Sequence, residues 1–170
     1  TFYTAFQSSL VSYSNLQKDA TSFTDVAAQT QRIASVLRGS TDIRAAGAND
    51  MTVYAYFFPS DEYTSEVRYY LSPDQKKLLA DVVPFTDNPP VGVPDEEKLR
   101  TVTIVENFKK IASKPLFQYF SIGTADQLAL PITNLNTIKI VRVNLAAPTS
   151  NDKEHVMSLE VSLRNRKTNL

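Results

Sequence analysis

Residues 27 to 39 read Ala27-Ala28-Gln29-Thr30-Gln31-Arg32-Ile33-Ala34-Ser35-Val36-Leu37-Arg38-Gly39, and the fold class turns on them. Up to Leu37 apolar side chains return every three or four positions, the spacing of one helix face, whereas beyond Gly39 the period becomes two, the spacing of a strand. Arg38 places a basic residue in the last helical turn, and Gly39 is positioned to take the left-handed conformation that closes a helix. A helix therefore ends here and a β-domain begins.

Towards the N-terminus the same spacing runs back through Phe6, Tyr13, Leu16, Ala20, Phe23, Ala27, Thr30, Ala34 and Leu37, with Gln7, Gln17, Lys18, Gln31 and Arg32 on the remaining surface. This predicts one long amphipathic helix within residues 1–38, its apolar stripe buried against a sheet. Its expected weak point is Lys18 to Asp25, where Asp19, Thr21, Ser22 and Thr24 carry side chains that compete for nearby backbone, and Thr24 is placed to cap a second helix. Thr1-Phe2-Tyr3-Thr4-Ala5-Phe6 opens at helical spacing with no Ser, Asp or Asn cap and no first-turn proline, so the helix is expected to be cut from a longer one.

Towards the C-terminus a β-domain is predicted over residues 45–163. Gly47 to Asp50 reads as a turn and Met51 to Phe58 as the first strand; Glu66 to Leu71 and Lys77 to Val83 form a hairpin about Ser72-Pro73-Asp74-Gln75, completing a meander. Residues 84 to 98 hold Pro84, Pro89, Pro90, Gly92 and Pro94 with Asp87, Asn88 and Asp95, a composition for an extended surface loop. Strands are expected at Leu99 to Glu106, Phe117 to Ile122 and Ile138 to Leu145. The turn-rich 146–152 segment then leads to Val156 to Leu163, with Met157, Leu159, Val161 and Leu163 on one face. That last antiparallel pair is expected to close the sheet, and the polar stretch 164–170 reads as a solvated or interface-bound tail. The whole chain, 1–170, is a single α+β domain: one long helix packed on an antiparallel sheet.

Composition excludes several kinds of chemistry. Eighteen basic and eighteen acidic residues leave no excess charge for a nucleic-acid backbone. With no cysteine, disulfides, thiol nucleophiles and cysteine-ligated metals are ruled out. No apolar run approaches the roughly 20 residues that span a bilayer.

Positive signals for catalysis are equally sparse. His155, the one histidine, enters a strand beside Asp152, Lys153 and Glu154, and is assigned no role. The acidic positions Asp61, Glu62, Asp87, Asp95, Glu96 and Glu97 lack the alternating oxygen spacing of a calcium loop, and Gly39 and Gly47 form no phosphate cradle. No cofactor is called for. The aromatic group Tyr54, Tyr56, Phe57, Phe58, Tyr63, Tyr69 and Tyr70 reads first as strand core with cross-strand pairs, and second as a stacking platform for sugars or bases.

A long N-terminal helix, a small meander and a closing antiparallel pair together resemble the type IV pilin and pseudopilin family. The stretch Ala27 to Arg38 is similar to the one preceding the first strand in larger minor pseudopilins. The order of Val67-Arg68-Tyr69-Tyr70-Leu71, Thr101 to Phe108, Phe117 to Phe120 and Leu135 to Leu145 resembles that subgroup, as does the ending Leu159-Glu160-Val161-Ser162-Leu163-Arg164-Asn165. The family's basic leader, processing site and apolar segment of about 20 residues with a glutamate are missing from this sequence, and the uncapped start is read as their removal. The cysteine pair of many major pilins and the calcium loop of the major pseudopilins are also missing, which points to a minor subunit.

The resemblance implies a non-enzymatic filament subunit of a type IV pilus or type II secretion-like assembly. It would be extracytoplasmic, membrane-anchored before assembly only through the missing segment, and partnered by other pilin or pseudopilin subunits. An adhesive domain for glycan or DNA on the same scaffold is the alternative. Expected partner contacts fall in the 84–98 loop, the 146–154 turn and the tail, at Asp87, Asn88, Asp95, Asn151, Asp152, Arg164 and Arg166.

Overall fold

No proline or glycine occurs before Gly39, and the computed structural model carries one uninterrupted α-helix, α1, over Phe2–Arg38 (37 residues). The structure describes residues 2–106, 108, 111, 114–123, 126–148 and 155–163, without the side chains of 2–6, 8, 9 and 155. The expected break at Lys18 to Asp25 does not occur. Thr21 and Thr24 donate to the carbonyls four residues back, Gln17 at 3.0 Å and Ala20 at 2.9 Å, so these hydroxyls are accommodated within the helix instead of capping a new one.

Burial along α1 corrects the expected stripe. Its C-terminal half buries Val26, Thr30, Ile33, Ala34, Val36 and Leu37, each large aliphatic side chain contributing about 1.5–3 kcal/mol. Its N-terminal half leaves Tyr13 at 70% and Leu16 at 69% exposure. Gly39 does not take the left-handed backbone either; among the described glycines only Gly123 has positive φ. Ser40 closes the helix, its N–H reaching the Leu37 carbonyl at 3.1 Å and its hydroxyl donating to the same oxygen at 2.7 Å.

The strands are β1 (Asp42–Ala46), β2 (Asp50–Ala55), β3 (Ser65–Leu71), β4 (Leu78–Pro84), β5 (Arg100–Val105), β6 (Phe117–Phe120), β7 (Ile140–Ala147) and β8 (His155–Ser162). Strands β1 to β5 form an antiparallel meander in chain order. Ile43 faces Val53, Val53 faces Val67, and Val67 faces Val82, and this row of β-branched residues is buried throughout. Strand β1 was not anticipated, since Ile43 is the only fully buried side chain of Asp-Ile-Arg-Ala-Ala. The strand predicted over Met51 to Phe58 stops at Ala55, and Phe57 and Phe58 lie beyond it.

The final pair does not close the first sheet. It joins β6 in a separate sheet of order β6-β7-β8, and α1 packs against β7 and β8 as well as β5 and β2. Along β8 the predicted alternation holds: Met157 and Leu159 are half-buried, Val161 and, just past the strand, Leu163 are buried, and Val156, Ser158, Glu160 and Ser162 are exposed. The sheets are stitched at the β1–β2 turn: the Phe117 N–H donates to Ala48 O at 3.0 Å, and the Tyr119 hydroxyl to Gly47 O at 2.8 Å. One hydrophobic core draws on α1 and both sheets.

Candidate interaction surfaces

The β4–β5 connection is a built loop. Phe85 folds inward and meets the Tyr54 ring edge-on at 4.9 Å, while its strand-like contact with Pro94 brings the loop's two arms together. Asn88 holds the loop to the sheet: its side-chain oxygen accepts from Thr64 N–H at 3.1 Å and from the Tyr56 hydroxyl at 3.3 Å. Asp87 accepts from the Asn88 N–H at 2.6 Å. Asp95 pairs with Lys98 at 2.9 Å, a contact that holds the Lys98 ammonium above its ordinary pKa. At Gly92 a Cβ would stand 1.8 Å from the Asp87 carbonyl oxygen, so only glycine permits this closure.

Asp87 and Asp95 thus bond within the loop, and Asn88 ties it to Thr64 and Tyr56. The loop also exposes two apolar side chains, Val91 at 79% and Val93 at 61%, residues that composition alone did not single out. The alternation of proline with valine over residues 89 to 94 was the available signal. Asn151, Asp152, Arg164 and Arg166 lie outside the described residues. His155 begins β8 opposite Ala147.

The tyrosines are largely engaged within the sheet. Tyr69 is buried, and Tyr54 packs on Phe85. Tyr70 donates to Asp81 at 3.1 Å, and Thr101 donates to the same carboxylate oxygen at 2.6 Å, a polar rung across β3, β4 and β5. Burial, then the Asp81 bond, raise the Tyr70 phenol above its ordinary pKa. Tyr56 keeps an exposed ring.

The second surface is the N-terminal half of α1. With about 100° of turn per residue, Val26, Thr30, Ile33 and Leu37 lie along one buried line, and Tyr13, Leu16, Ala20 and Phe23 along another turned by roughly 90°. Ser12, Asn15 and Asp19 continue the buried line, so the face that meets the sheets turns polar where the second stripe starts. No charged side chain precedes Lys18. The first turns of the helix therefore present an uncharged surface with an exposed tyrosine–leucine stripe, whose line continues into half-buried Ala27 and buried Ala34.

Among the described residues no group of three or more His, Asp or Glu side chains could hold a metal ion, and no helix is long and apolar enough to cross a membrane. No protein-family model, curated protein or solved structure matches the chain.

Proposed function

We propose that this chain is a structural subunit, a minor pilin or pseudopilin, of an extracytoplasmic filament or secretion-type assembly, anchored to the membrane before assembly. It acts through contacts with other subunits and catalyses no reaction. The observation that carries this reading is the exposed stripe of Tyr13 and Leu16 on the N-terminal half of the helix, which bears no charge before Lys18. A stripe that is apolar, uncharged and exposed suits packing among like helices, where charge on every copy would repel. The exposed Val91 and Val93 at the loop tip supply a second, smaller contact on the β-domain. The adhesive alternative draws less support, because Tyr54, Tyr69 and Tyr70 are taken up by internal contacts.

The test places a photo-crosslinking residue at Leu16 in the producing cell and identifies the adduct by mass spectrometry. Adducts to the N-terminal helix of another copy, or of a related helix-bearing subunit, are expected. Adducts confined to the chain's own β-domain, or none, would refute the proposal.

A further inference from the structure

We propose that the cleft between the C-terminal half of α1 and the residues following β2 binds a carboxylate carried on a ring. The cleft has a volume of about 430 Å³, with Val36, Phe57, Phe58 and Pro59 among its walls and the hydroxyl-bearing Ser35 and Tyr56 beside them. Phe57 and Phe58 meet edge to face at 4.8 Å and 87°, forming an aromatic corner. Over that corner sits Arg32, its Cζ 4.7 Å from the Phe57 centroid and 5.3 Å from that of Phe58. Arg100 comes to Phe58 as well, at 5.6 Å.

A guanidinium held over an aromatic ring is fixed in position while its five N–H donors remain in its own plane. Neither the Arg32 nor the Arg100 side chain has an ion pair or hydrogen bond among the described residues, whereas Arg44 pairs with Asp42 and Arg142 with Glu160. Arg32 lines the cleft with its charge unpaired, and Arg100, the other arginine that meets the Phe58 ring, adds positive charge. The planar fork matches the two oxygens of a carboxylate. The nearby Asp61 carboxylate, which accepts from the Phe58 N–H at 2.9 Å, disfavours a doubly charged phosphate. The apolar walls suit a ring face, and the volume fits one or two rings. An acidic sugar and an aromatic acid share this chemistry. The site lies on a different part of the helix from the Tyr13–Leu16 stripe, so it stands or falls separately from the filament reading.

The experiment is an NMR titration of the isolated chain with methyl glucuronide, benzoate, methyl glucoside and inorganic phosphate. Saturable shifts at Arg32 and Phe58 with methyl glucuronide support an acidic-sugar ligand, and with benzoate an aromatic acid. Arg32→Lys keeps the charge, removes the fork and should weaken binding by about tenfold or more, with Arg100→Gln giving a smaller loss. Unchanged thermal unfolding of both variants shows that the fold is intact. Absence of saturable binding by either acid, equal binding of methyl glucoside or phosphate, or binding indifferent to both substitutions would each overturn the proposal.

Discussion

The Tyr119 hydroxyl donates to the Gly47 carbonyl at 2.8 Å, joining β6 of the second sheet to the turn between β1 and β2. The Asp50 carbonyl lies further off, at 3.5 Å. Tyr119 is fully buried, so Tyr119→Phe keeps the ring packing and removes only the bond. A loss of about 1–1.5 kcal/mol is expected, read as a lower urea midpoint at unchanged slope. No loss would mean that the sheets are held by side-chain packing alone.

Burial also makes stability sensitive to alkali. It raises both the Tyr69 and the Tyr119 phenols well above the ordinary tyrosine value, and the Asp50 charge adds to the effect at Tyr119. The folded state then holds its phenolic protons at pH values where the unfolded chain releases them. The stability these groups contribute is complete below about pH 10 and falls as pH rises further, by roughly 1.4 kcal/mol per pH unit for each buried tyrosine. Urea midpoints at about pH 8 and pH 11 should separate, and Tyr119→Phe should narrow the gap.

Asn144 is a buried amide with both ends satisfied. Its Nδ2 donates to Pro115 O at 3.0 Å and to Gln118 Oε1 at 2.9 Å, and its Oδ1 accepts from Ser158 Oγ at 2.6 Å. It therefore ties β7 to both neighbours and helps fix the register of the second sheet. Asn144→Ala strands these partners and should cost about 2–4 kcal/mol, whereas Ser158→Ala removes a single bond and should cost about 1 kcal/mol. Equal losses in chemical denaturation would contradict this account.

Gln75 occupies the left-handed region, φ 56, in the turn between β3 and β4, where its N–H donates to Ser72 O at 2.8 Å. A side chain there is strained and glycine is not, so Gln75→Gly should raise stability by about 0.5–1 kcal/mol after its larger loss of chain entropy. A lower melting temperature would show that the Gln75 side chain makes a compensating contact.

The parts legible in sequence were those governed by local period. Val67, Tyr69, Leu78, Ala80 and Val82 alternate cleanly, and the meander they build is the one expected. What escaped was settled by contacts distant in the chain. Periodicity assigns Val141 and Val161 to inner faces but does not say which strand lies beside theirs, so the separate β6-β7-β8 sheet was not foreseen. Ile43 alone was too little signal for β1. Composition marked Asn88 as a loop residue but not its bonds to Thr64 and Tyr56, which lie 24 and 32 positions away in the chain. The Arg32 cleft combines a helix with the segment after β2, an assembly that no local pattern encodes.

The two halves of α1 yield the sharpest contrast. Val26 is buried at 3% exposure and Leu16 lies open, although both fit a three- or four-residue repeat. Val26→Asp puts a carboxylate among core side chains, so a loss of about 3–5 kcal/mol is expected. Leu16→Asp removes nothing from the monomer's core and should shift its stability by no more than about 0.5 kcal/mol. In an assembly of like subunits, however, it sets a negative charge into every helix contact. Thermal unfolding of the purified chain, paired with assembly in the producing cell, separates the two effects. Leu16→Asp should melt like the parent and fail to incorporate, and a variant that incorporates normally would leave the exposed stripe without a role in assembly.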